Sequence, residues 1–124
     1  MNPHYGYKLE SLRKIRTLSV LIMQDLTLDQ LNKIPAGFNN NIIWNAAHLV
    51  AAQQGVCYMR AGLPTLINSE FYNSYKPGSK PVAPLTQHAV DYIKELLVST
   101  IEQFETDLHY DIFKNYSHWT TRYG

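Results

Sequence analysis

The stretch from Asn40 to Ala61, NNIIWNAAHLVAAQQGVCYMRA, is apolar on nearly every side of a helix drawn through it. Such a helix has no broad face to give to water, so it belongs in the middle of the protein with other elements packed around it. Its ends are marked. Asn39 or Asn40 offers an N-cap side chain, and Gly62, with Pro64 beyond it, supplies a left-handed stop. At ~1.5 Å rise per residue the helix is about 30 Å long, enough to traverse a small bundle.

Its partners must then be amphipathic, and two segments fit. From Lys8 to Asp25, Leu9, Leu12, Ile15, Leu18 or Ser19, Ile22 and Leu26 fall at helical spacing, with Lys8, Glu10, Arg13, Lys14 and Arg16 expected on the outward face. From Leu85, Val90, Ile93, Leu97, Thr100 or Ile101, Phe104 and Leu108 form a second stripe, opposite Asp91, Lys94, Glu95, Glu102 and Glu105. Between the first two helices, Thr27-x-x-Gln30 reads as a capping box that starts a short turn, LDQLNKI, which Pro35 and Gly37 end. Leu63 to Pro84 carries prolines, glycine, serines and asparagines without a sustained period and reads as a long crossover loop. No strand-like alternation of useful length occurs. The expectation is one all-α domain over residues 1–124 with three long helices and an aromatic tail, HYDIFKNYSHWTTRYG.

Composition narrows the partners. Hydrophobic residues make up 45% and charged ones 17%, which excludes a disordered chain, and a net charge of +1 gives no electrostatic reason to expect nucleic acid or an anionic membrane. The single cysteine, Cys57, excludes an internal disulfide framework and fits a reducing compartment, so a cytoplasmic location is expected. No run approaches the ~18 apolar residues of a membrane span, and the N-terminus has no signal-peptide core.

The chemical question is His48, an imidazole on the central helix. It shares a face with Trp44 at i−4, Ala51 and Ala52 at i+3 and i+4, and Gly55 at i+7. Two readings follow: a histidine satisfied by a hydrogen bond inside the core, with small neighbours for close helix packing, or a ligand beside a pocket formed by Trp44, Ala51, Ala52 and Gly55. A zinc-type site needs at least three protein ligands, and no His-x-x-x-His or Glu-x-x-His pair occurs in the chain. His88, with Asp91 and Glu95 on its helix, has workable spacing but lies on the charged face; His4, His109 and His118 read as surface or tail residues. Cys57 falls on nearly the opposite side of its helix from His48 and reads as a small core or interface residue. The tyrosines Tyr72, Tyr75, Tyr110, Tyr116 and Tyr123 gather in the loop and tail, where an amphipathic ring can cover a groove.

The run LTLDQLNKIPAGFNNNIIWNAAHLVAAQQGVCYMRAGLP, Leu26 to Pro64, resembles the DinB-like superfamily of metal-binding helical-bundle proteins. The likeness lies in the order of its parts: the LDQLNKIP turn, a Gly-Phe-Asn-Asn lead, then Asn-x-x-Trp-Asn-x-x-His on the second helix. The resemblance implies an up-down-down-up four-helix bundle, often dimeric, with a divalent metal held by three histidines, the position of the first being His48. It implies a relation to metal-dependent thiol S-transferases, with Zn²⁺ or Ni²⁺ as cofactor and a small thiol and an electrophilic small molecule as reactants. The family's other two ligands, a His-x-x-x-His pair on a fourth helix, do not occur between Met1 and Gly124. The expectation is therefore a C-terminally short bundle with an incomplete metal site, completing its core as a homodimer. The alternatives are a non-catalytic dimerisation or interaction module without metal, and a small-molecule sensor using the groove left by the fourth helix.

Overall fold

A computed structural model describes residues 3–110, 112 and 113, with side chains from residue 8 onward. Among these residues all regular secondary structure is helical, with no strand. Three long helices carry it: α1 (Pro3–Gln24), α3 (Ile42–Gln53) and α5 (Gln87–His109). Two short ones, α2 (Leu28–Asn32) and α4 (Ser69–Tyr75), sit in the connections. Both α1 and α3 pack on α5, while α2 and α4 pack on α3. No helix among the described residues is long and apolar enough to cross a membrane.

The central helix is as buried as its sequence demands. Ile43, Trp44, Ala46, Ala47, Val50 and Ala51 are all buried, and all of them but Trp44 join Val90, Ile93, Leu96 and Leu97 of α5 in one core cluster with Met23, Leu31, Ile67 and Phe71. Its cap is Asn41, one residue beyond the expected position: the Asn41 side chain accepts the Trp44 N–H at 2.8 Å. Asn41 wins because its amide also donates to the Asn32 carbonyl, joining the end of α2 to the start of α3. The helix does not stay α-helical to Ala61. After Gln53 it widens into a π turn, Gln54–Tyr58, tightens into a 3₁₀ turn, Met59–Ala61, and stops at Gly62 with φ of 71°.

Side-chain amides hold the connections. The capping box at Thr27 is formed in both directions, Thr27 Oγ1 taking the Gln30 N–H and Gln30 Oε1 taking the Thr27 N–H. Asn32 donates to the Leu85 carbonyl at 3.0 Å and accepts the Leu85 N–H at 2.7 Å, so the end of the crossover is paired to α2 like a strand to its neighbour. Gln54, fully buried in the π turn, accepts the Leu66 N–H at 2.7 Å and holds the start of the crossover. Within that crossover the expected irregular loop contains α4. Asn68 caps it by accepting the Phe71 N–H, and Ile67 and Phe71 insert into the core with Tyr72 and Tyr75 packed beside them, so a cap and a few anchors order a segment with no apolar period.

The main departure from expectation is the rotation of α1. Ile15, Leu18 and Ile22, expected in the core, are more than half exposed, whereas Arg16, expected outside, is 4% exposed. The buried edge of α1 is Leu9, Arg16 and Met23, seven residues apart, with Leu12, Arg13, Ser19 and Val20 partly covered beside them. Arg16 crosses to α5 and α3: its guanidinium donates to the Leu97 carbonyl at 3.0 Å, to Thr100 Oγ1 at 3.4 Å and to the Leu49 carbonyl at 3.5 Å. Arg13 pairs with Glu105 on the same side.

Because the acceptors are helix carbonyls and a hydroxyl that already donates to the Leu96 carbonyl, removing the guanidinium orphans no buried donor. The stem of Arg16 is then the larger part of what the site needs. Arg16→Met is expected to stay within about 1 kcal/mol of the parent stability and Arg16→Ala to lose roughly 2–4 kcal/mol. Urea denaturation of both variants checks this, and equal losses would assign the role to the guanidinium itself.

Candidate functional site

His48 lies on the face of α3 that meets α4. Its Nδ1 is 2.7 Å from the carbonyl oxygen of Tyr75, the last residue of α4. A carbonyl only accepts, so Nδ1 carries the proton and donates. In the neutral ring that leaves Nε2 as a lone-pair nitrogen, and among the described residues Nε2 has no hydrogen-bond partner. The imidazole is fixed from a second direction by Trp44, stacked at a centroid distance of 4.8 Å with 9° between planes. Helical i, i+4 spacing brings the two rings together, and the orphan carbonyl at the end of α4 selects the tautomer.

The sequence-predicted pocket residues divide. Trp44 is buried, its indole N–H has no partner among the described residues, and it borders an open groove of about 600 Å³ running past Tyr75 to Lys80 and Ala83. Ala52 and Gly55 line a separate cavity of about 380 Å³ with Val56, Met59, Arg60, Tyr72 and Pro77. His48 stands one turn from Trp44 and one turn from Ala52 on the same helix face. Ala51 is fully buried in the core and lines neither. Gly55 matters for space, since a Cβ there would stand 3.1 Å from the Tyr72 hydroxyl oxygen.

The remaining titratable residues do not gather around His48. His88 is exposed at the start of α5, Asp91 accepts from Gln87, and His109 stands at the far end of α5 against Tyr110. The side chain of His4, and the whole of His118, Tyr116 and Tyr123, lie outside the described residues. Among the described residues no group of three or more His, Cys, Asp or Glu side chains is placed to hold a metal ion. His48 thus presents a lone-pair Nε2, and the described residues do not place two further ligand side chains around it.

Two groups were not foreseen. Tyr58, buried in the π turn, donates its hydroxyl to the Asp107 carboxylate, whose other oxygen takes a bond from Gln103 at 2.9 Å. Burial first, and then the Asp107 partner, push the Tyr58 phenol far above the ordinary tyrosine range, so the pair is a structural latch between α3 and α5. Phe104 and Phe113 pack edge-on against the same ring. The other is the Tyr75 carbonyl, a backbone group that no side-chain pattern announces.

With this geometry in place, the comparison with known proteins decides the family. The sequence pattern of the DinB superfamily matches residues 11–119. The chain belongs to the DinB superfamily. Its helical bundle and the Asn-x-x-Trp-Asn-x-x-His segment agree with that membership. Neither a curated protein nor a solved structure matches this DinB-superfamily chain.

Cys57 offers a direct check on the environment of the π turn. Burial raises its thiol from 9.0 to about 11, so at pH 8 its thiolate fraction is roughly a hundredfold below that of an unperturbed cysteine, and alkylation of the folded protein is expected to be slower by a similar factor. The same shift makes folding pH-dependent. The unfolded chain gives up this proton near pH 9 and the folded one near 11, so stability is fully present below pH 9 and declines as pH rises to about 11. Tyr75, also raised by burial, acts in the same direction. Denaturant midpoints measured from pH 8 to 11 test the decline, and Cys57→Ala should reduce it.

Proposed function

We propose that this DinB-superfamily protein is a divalent-metal-binding protein related to metal-dependent thiol S-transferases, with His48 as one ligand through Nε2. The observation that carries the reading is the His48 Nδ1–H donated to the Tyr75 carbonyl, which leaves the other ring nitrogen lone-paired and held in direction. Family membership supports it. A bound Zn²⁺ or Ni²⁺ would favour the thiolate form of a small thiol substrate and so supply the nucleophile for an electrophilic second substrate.

The chain's own residues have narrower parts. Tyr75 fixes the His48 tautomer through its carbonyl, and Trp44 covers one face of the imidazole. Ala52 and Gly55 keep the next turn of α3 free of bulk, leaving the cavity under Tyr72 open for a small organic molecule. Cys57, with its proton held well above neutral pH, is unsuited to be the attacking thiol, so the sulfur must come from the substrate. A cytoplasmic setting, where small thiols are kept reduced, fits this chemistry.

A second reading, a non-catalytic interaction module, has one observation in its favour: His48 is already held by a hydrogen bond within the fold, as a structural histidine would be. Metal binding separates the two. Purified full chain, stripped with chelator and titrated with Zn²⁺ and Ni²⁺ by calorimetry, is expected to bind one of them stoichiometrically. His48→Ala should weaken that binding at least tenfold while leaving the circular dichroism spectrum unchanged. No stoichiometric ion, or an unchanged titration in the variant, would favour the interaction module.

A further inference from the structure

The cavity beside the π turn has a charge as well as a shape. Val56, Met59 and Pro77 give it apolar walls, and two polar side chains reach it, Arg60 and Tyr72. Among the described residues no carboxylate lines it. Glu70, the acid of α4, stands two positions before Tyr72, roughly 200° round that helix, and borders the other grooves instead. Arg60 owes its place to the π turn. On an unbroken α-helix it would lie about 80° round from Ala52; the turn at Gln54–Tyr58, by fitting one extra residue into the rod, takes back roughly 100° and brings the two onto one side. Turns of this kind are rare and are frequently found at functional sites. Gly55 makes room for the second polar group. A Cβ there would stand 3.1 Å from the Tyr72 hydroxyl oxygen and 3.3 Å from the ring, so any larger residue would crowd the phenol.

This combination selects a class of ligand. At about 380 Å³ the cavity is of the size that takes a small organic molecule. A guanidinium offers a planar fork of N–H donors that matches the two oxygens of a carboxylate, and with several donors it can serve the fold and a ligand at once. A phenol O–H adds a further donor for the same head group. One guanidinium brings one positive charge, which suits a carboxylate better than the dianion of a phosphate monoester. We propose that this cavity binds a small organic carboxylate, its anionic head held by Arg60 and Tyr72 and its apolar stem lying along Val56, Met59 and Pro77. To call that carboxylate a substrate rests on the function proposed above; its binding does not, because His48 is not among the residues that line the cavity.

Titration of the chelator-stripped full chain with hydrocinnamate, followed by NMR at neutral pH and low salt, tests this. The acid is expected to bind, and its neutral amide, which has the same shape without the charge, to bind about fivefold more weakly or worse. Arg60→Gln should erase the preference for the acid and leave the affinity for the amide as it was. Tyr72→Phe, which keeps the ring, should weaken the acid about threefold. Ala52→Leu should abolish binding of both by filling the cavity, with an unchanged circular dichroism spectrum. Because no metal is present in this titration, His48→Ala should not alter it, so a failed metal titration would leave the result standing. No binding of the acid, equal affinity for acid and amide, or a preference that survives Arg60→Gln would overturn the proposal.

Discussion

A buried guanidinium sets the geometry of this bundle. Arg16 is the point at which α1, α3 and α5 meet, and it is satisfied by two helix carbonyls and a threonine hydroxyl, with no carboxylate paired to it among the described residues. Burial lowers it to about 10, so it stays charged at neutral pH and must keep these oxygens within reach. That requirement fixes the rotation of α1 about its own axis. An apolar residue at position 16 would tolerate several rotations, whereas a charge with three specific acceptors tolerates few. The exposed row of Ile15, Leu18 and Ile22 is the direct result, because the face opposite Arg16 cannot also be inside.

The second structural theme is the attachment of a long polar connection by a few amide side chains. Asn32 pairs with both backbone groups of Leu85, Gln54 holds Leu66 from inside the π turn, and Asn68 starts α4. These bonds place α4 so that its final carbonyl stops beside His48. The histidine's orientation therefore depends on residues distant in sequence, and the imidazole in turn satisfies a helix end that would otherwise lack a donor. The same hydrogen bond serves stability and the presentation of a lone-pair Nε2.

Much of this was legible in the sequence. The burial of α3, the stripe on α5 from Val90 to Ile101, the Thr27 capping box and the Gly62 stop all follow from local rules, and the structure has each of them. The pairing of Trp44 with His48 follows from helical spacing. What escaped was tertiary. A helix with apolar residues on more than one side has more than one possible inside, and periodicity counted the larger residues where the acceptors available to Arg16 decided. The α4 segment escaped because its order comes from a cap and a few anchors, too little for a periodic signal. The partner of His48 escaped because it is a main-chain carbonyl.

The π turn at Gln54–Tyr58 has a further consequence, for how this helix tolerates change in length. A wider turn accommodates an extra residue in the space of an ordinary one, so it acts as a register shift between two halves of a single rod. Upstream, His48 and Trp44 answer to α4; downstream, Tyr58 answers to Asp107. Shortening the turn by one residue would swing everything beyond it through about 100° and part Tyr58 from its carboxylate, while the imidazole upstream kept its bearing. The two ends of the central helix are geared separately, and length variation at the turn is the means by which one can be reset without disturbing the other.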